Sequence, residues 1–246
     1  MESNTAVGPE DAPVHEKHAD SDPRQLIRAS MKFKSRSHDT HHAGHLPVLD
    51  QIPALGFTTV LIGDSMIERL QTTGASTRTA NLASSFNAGV GGDRIESVLY
   101  RLDLGLFTRL QDRGIQVWVL MLGTNHMGKK KKGLKSKELD AYRVLVQALL
   151  RIAPQSRILA CALFPRTDVE EANLDHANSQ LVDLVREVNG QLGAEKVVWL
   201  DATARVDRDE HLLDHVHLNE DGYRIWDAVL YPKILELLAE VEEEKS

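Results

Sequence analysis

The chain has 246 residues, of which 42% are hydrophobic and 26% charged, the balance of a folded globular protein rather than a disordered one. Its 29 lysines and arginines against 36 aspartates and glutamates leave a net charge of −7, with 5% aromatic residues. That argues against nucleic acid as a partner, which calls for a basic surface or stacking rings. Cys161 is the single cysteine, so neither an internal disulfide nor a cysteine-based zinc site can form.

Residues 1–22 read as a disordered tail, polar and without the apolar run of a secretion signal. Residues 23–56 read as an N-terminal extension, partly helical at most, with Leu26, Ile27, Met31 and Phe33 on a weak amphipathic turn. His38, His41, His42 and His45 fall in it. His41 and His45 stand one helical turn apart, a spacing that suits a metal. No acidic framework accompanies them, so a solvated polar stretch without metal is the favoured reading.

One domain is expected over residues 57–241. Continuous apolar or β-branched runs predict strands over residues 58–62, 82–86, 116–122, 157–163 and 196–200. Helical spacing predicts helices over residues 93–104, 134–152, 171–192 and 219–241, with Pro232 bending the last. Asp93 and Glu96 have the form of a capping box. Five strands alternating with helices make a three-layer α/β sandwich on a parallel sheet. The longest apolar stretch, residues 117–122, is too short for a transmembrane segment, and no Asn-x-Ser/Thr sequon occurs. A cytoplasmic location is expected on these grounds.

Parallel α/β sheets bind ligands at the carboxyl ends of their strands. Gly63-Asp64-Ser65 follows the first predicted strand, Asn87-Ala88-Gly89-Val90-Gly91-Gly92-Asp93 the second, and Gly123-Thr124-Asn125 the third. Asp214-His215-Val216-His217 stands before the final helix. A serine hydroxyl needs a base, which His217 can be, and Asp214 can orient its ring. An oxyanion needs donors, available from the Ser65 N–H, the Gly92 N–H and the Asn125 amide. Each piece also has an ordinary structural reading. Ser65 with Glu68 could form a capping box, the glycine loop a tight turn or phosphate cradle, Asn125 a turn, and His217 a surface histidine. Their joint occurrence at strand ends carries the argument.

These four clusters resemble, in order, the consensus blocks of the SGNH hydrolases, the GDSL esterase/lipase family. Leu218-Asn219, Gly222-Tyr223 and Trp226 resemble the start of that family's last helix. The glycine loop is most similar to the branch of platelet-activating-factor acetylhydrolase catalytic subunits. The resemblance implies a flavodoxin-like α/β/α sandwich with Ser65 as nucleophile and first oxyanion donor. Gly92 and Asn125 would be the other donors, His217 the base and Asp214 its partner. It implies no cofactor and no metal. A homodimer is compatible with the resemblance alone. His126-Met127, and the lysines at 129–132, 135 and 137, depart from the family pattern. A solvated loop is the favoured reading of the lysines, with selection of anionic substrates or acidic membrane surfaces the sharper one.

The expected function is therefore hydrolysis of small acyl or acetyl esters through an acyl-enzyme on Ser65. The alternatives are a non-catalytic binding or scaffold module on the same fold, and a flavin or nucleotide binder using the glycine loop. The second leaves Asn125 and the Asp214–His217 pair without a task.

Overall fold

The computed structural model describes residues 23–51, 56–130 and 132–245; the tail expected over residues 1–22 lies outside them. Five parallel strands form one sheet: β1 (Thr59–Gly63), β2 (Ser85–Gly89), β3 (Val117–Met121), β4 (Arg157–Cys161) and β5 (Val197–Leu200). They lie in the order β2-β1-β3-β4-β5. Every residue of β1, β3 and β4 is buried, as strands covered on both faces must be. The expected three-layer sandwich is thus present, and the strand order reverses between β1 and β3. That reversal opens the crevice in which such sheets place their ligands.

Among the described residues three helices precede the sheet: α1 (Pro23–Ser30), α2 (Ser35–Thr40) and α3 (Leu46–Gln51). A wider π-type turn over His41–His45 joins α2 to α3. Pro47 explains it. A proline ring clashes with the carbonyl four residues back, and an i→i−5 turn, here Leu46 N–H to His41 O, relieves that clash. The extension is therefore more helical than the sequence led us to expect. It is also no solvated stretch, since Ser37, His41 and Leu49 are fully buried. Burial of Ile27 and Leu49 in the core cluster, which periodicity over so short a run did not reveal, supplies the driving force.

The remaining helices are α4 (Ser65–Glu68), α5 (Ile95–Arg101), α6 (Phe107–Leu110), α7 (Ser136–Ile152), α8 (Glu171–Leu192) and α9 (Glu220–Glu243). The boundaries of α8 and α9 follow their caps. Gly193 ends α8 in the left-handed conformation, and the Asn219 side chain caps α9 by accepting from Gly222 N–H. Helix α9 continues through Pro232.

Two expectations change. Strand β2 lies three residues beyond the predicted run, because Ser85 closes a turn on Leu82 O through both its N–H and its hydroxyl. The Asp93–Glu96 capping box does not form: α5 starts from Arg94 with no side-chain cap. Asp93 is drawn instead into a buried ion pair with Arg101, 3.1 Å apart, where a charged partner outbids a backbone N–H.

Candidate active site

The site is assembled from the loops that leave β1, β2 and β3 and from the segment before α9. At the end of β1 the chain turns sharply into α4. Asp64 caps that helix, its carboxylate accepting from Met66 N–H at 2.9 Å, so the sequence-level reading of Ser65 as the cap yields to its neighbour. Ser65 at the first helical position is released for other work, and its N–H has no carbonyl one turn earlier to bond. Tyr223 on α9 fixes α4 from behind by donating its hydroxyl proton to Met66 O at 2.9 Å.

Ser65 Oγ lies 2.9 Å from His217 Nε2. His217 Nδ1 lies 2.7 Å from Asp214 Oδ2. The other carboxylate oxygen of Asp214 accepts from the N–H groups of Val216 and His217 at 2.9 and 2.8 Å. The turn therefore holds the carboxylate with two backbone donors and leaves one oxygen for the ring. Leu213 N–H to His217 O at 2.7 Å and a bridge between Leu212 and Leu218 close the loop's base. Burial is the largest single influence on Asp214 and opposes ionisation, but the His217 ring and the two N–H groups together outweigh it and hold its carboxyl well below the usual range. It stays ionised and sets the ring with a proton on Nδ1 and a lone pair on Nε2, facing Ser65.

The glycine loop after β2 packs on α4. A Cβ at Gly89 would stand 2.4 Å from Glu68 N, which is why no side chain fits there. Asn87 ties the two elements together, donating to Ile67 O at 2.8 Å and accepting from Gly89 N–H at 2.9 Å. Gly92 follows in the left-handed region, φ +73°, a conformation that costs glycine little. The loop is joined in turn to the next: Asn125 Nδ2 donates to Asp93 O at 2.8 Å. A side-chain amide has two N–H groups, so this bond fixes its rotamer and leaves one donor. Gly123, at φ +132°, reverses the chain into the short turn Thr124–His126 that carries Asn125.

Several supporting residues were not legible beforehand. Arg166 donates to Thr124 O at 2.7 Å and pairs with both oxygens of Asp168 at 2.8 and 2.9 Å. His126, singled out only as a departure, is buried, with Nε2 3.2 Å from Glu96 and Nδ1 3.3 Å from Glu138. Asp93 is fully buried and held by Arg101, Ser37 and Lys34. Burial, with Asp93 adding to it, pushes the carboxyl of Asp64 up to about 7.

The histidines of the extension divide. His38 Nδ1 meets the Tyr100 hydroxyl at 2.9 Å, while His41 and His45 are buried. Among the described residues no group of three or more His, Cys, Asp or Glu converges as a metal site. No described helix is long and apolar enough to cross a membrane. Lys129, Lys130, Lys132, Lys135 and Lys137 are exposed.

The profile of the GDSL-like lipase/acylhydrolase family matches residues 61–225. The chain is 26% identical over 187 residues, 74% of this chain and 76% of the relative, to platelet-activating factor acetylhydrolase IB subunit alpha1 of Rattus norvegicus. It is 26% identical over 233 residues, 92% of this chain and 96% of the relative, to the alpha2 subunit of the same animal. A GDSL-like lipase of Bacteroides thetaiotaomicron superposes with a TM-score of 0.57 at 15% identity, covering 82% of this chain and 99% of that one. The last of these speaks to the fold alone.

Proposed function

This chain belongs to the GDSL-like lipase/acylhydrolase family, a family of carboxylic ester hydrolases, and from that premise we propose that it is a serine esterase acting on small acyl or acetyl esters. The observation that carries the reading is the continuous relay from Asp214 through His217 to Ser65, at 2.7 and 2.9 Å. Attack of Ser65 Oγ on the ester carbonyl transfers the hydroxyl proton to His217 Nε2, and the Asp214 carboxylate stabilises the imidazolium. Negative charge develops on the carbonyl oxygen. The Ser65 N–H, the Gly92 N–H and the free amide hydrogen of Asn125 are the donors for it. His217 then protonates the departing alkoxide, leaving an acyl group on Ser65. In the second half His217 takes a proton from water, hydroxide attacks the acyl carbonyl, and the acid leaves as Ser65 recovers its proton. Every role is filled by a protein group, so no cofactor is called for. The acetyl preference is supported by the curated relatives, whose names specify acetylhydrolases.

The test is hydrolysis of p-nitrophenyl acetate by wild type beside Ser65→Ala. The expected loss in the variant is roughly a million-fold in kcat, down to the level left by the oxyanion donors alone. Activity that survives the substitution within about tenfold would mean that another residue is the nucleophile.

A further inference from the structure

The Gly92 N–H and the Gly91 carbonyl are the two ends of one peptide unit. No cis peptide bond occurs among the described residues, so these two groups point in opposite directions. The Gly91 carbonyl is not left to solvent. Lys34 Nζ donates to it at 2.8 Å and lies 3.4 Å from Asp93 Oδ1. The geometry points to Lys34 as a positioning residue for the oxyanion site: by holding the Gly91 carbonyl on the side of the N-terminal extension, it aims the Gly92 N–H to the opposite side. This rests on the reading of Gly92 as an oxyanion donor.

The peptide needs such a hold. It lies between two glycines, with no Cβ on either side to resist rotation of its plane. A half-turn of that plane would present a carbonyl oxygen to the developing negative charge in place of an N–H. A charge-assisted hydrogen bond is roughly twice as strong as a neutral one. It also polarises the peptide, so the N–H at the far end becomes the better donor.

Lys34 is itself fixed. Two residues before it, Lys32 N–H donates to Glu96 O at 2.9 Å. After it, Arg36 pairs with both oxygens of Glu68 at 3.0 and 2.9 Å, and the Ser37 hydroxyl donates to Asp93 Oδ2 at 3.0 Å. The extension thus runs as a strap across α4 and the glycine loop, with one ammonium on the peptide that matters. Lys34 acts through Gly92 and not on the substrate itself.

The experiment compares wild type, Lys34→Met, Lys34→Arg and Ser65→Ala in p-nitrophenyl acetate kinetics and in the rate of fluorophosphonate labelling. Arg28→Met serves as the control, since Arg28 lies in the same extension but pairs with Asp103, away from the loop. Lys34→Met is expected to lower kcat and the labelling rate roughly 10- to 100-fold, less than loss of an oxyanion donor, with KM within about twofold of wild type. Lys34→Arg restores most of that loss, while Arg28→Met behaves as wild type. An unchanged kcat in Lys34→Met overturns the proposal, as does a loss that arginine does not repair or that appears in KM alone. If Lys34→Met does not fold, Lys34→Gln is read by the same criteria. Should Ser65→Ala keep its activity, Ser65 is not the nucleophile and the reading of this site falls; should only Lys34→Met keep it, that reading stands and the role of Lys34 falls.

Discussion

Asp214 shows how much a single side chain is asked to do. One carboxylate oxygen organises its own turn through two N–H groups, and the other sets the tautomer of His217. Asp214→Asn preserves the shape but offers an amide where the ring needs an acceptor. The predicted result is a loss of about 10⁴-fold in kcat with folding intact, read by steady-state kinetics beside circular dichroism. Asn125 makes a second residue-scale test. Its amide is already oriented by Asp93 O, so Asn125→Ala removes a preorganised donor. A fall of roughly 10²- to 10³-fold in kcat with little change in KM is expected; a rise in KM alone would show that Asn125 binds ground-state substrate instead. These residues were legible in the sequence because each sits in a short motif whose members bond one another or follow a strand end. Lys34 and Arg166 were not. Their partners lie 57 and 42 residues away, and a lysine or arginine in isolation carries no signal of which distant carbonyl it will meet.

At the scale of elements, a buried arginine joins α5 to β2 and to the loop between them, so apolar packing does not act alone. Arg101 on α5 is fully buried and donates both to Asp93 and, at 2.9 Å, to Ala88 O in β2. Arg101→Met fills similar volume but leaves the Asp93 carboxylate buried with only Ser37 and the partly exposed Lys34. Losing one partner of such a pair costs about 3–5 kcal/mol, to be measured by urea unfolding. A loss under about 1 kcal/mol would show that Lys34 and Ser37 suffice. The same pair explains why the start of α5 was misplaced on sequence. Asp93 and Glu96 have the spacing of a cap, yet Arg101 claims one and His126 the other. Long amphipathic helices such as α8, with its glycine stop, were legible to within a residue. The extension was not, because its burial depends on surfaces contributed from elsewhere in the chain.

For the molecule as a whole, buried titratable groups set the response to acid. Burial, with Arg101 adding to it, lowers His41 and His45 to about 3 from 6.5. The unfolded chain binds their protons as pH falls below 6.5, while the native state does not. Their stabilisation is complete above that value and is lost as pH falls toward 3. Asp64 works in the opposite sense. With its carboxyl raised from 3.8 to about 7, the native state holds a proton that the unfolded chain releases, and stability falls as pH rises through that window. Two histidines oppose one aspartate, so for these three groups stability rises with pH between about pH 4 and 6. His45→Phe, beside Phe86, removes one of the two and should flatten that slope in urea unfolding series. An unchanged slope would mean that His45 is not buried in its neutral form.

The central claim is that Ser65 is an activated nucleophile, and it is tested most directly by treating the folded protein with a fluorophosphonate and mapping the adduct by peptide mass spectrometry. One adduct is expected, on Ser65, absent from Ser65→Ala and formed far more slowly in an otherwise folded His217→Gln. A folded wild type that takes no label, or takes it on another residue, would contradict it.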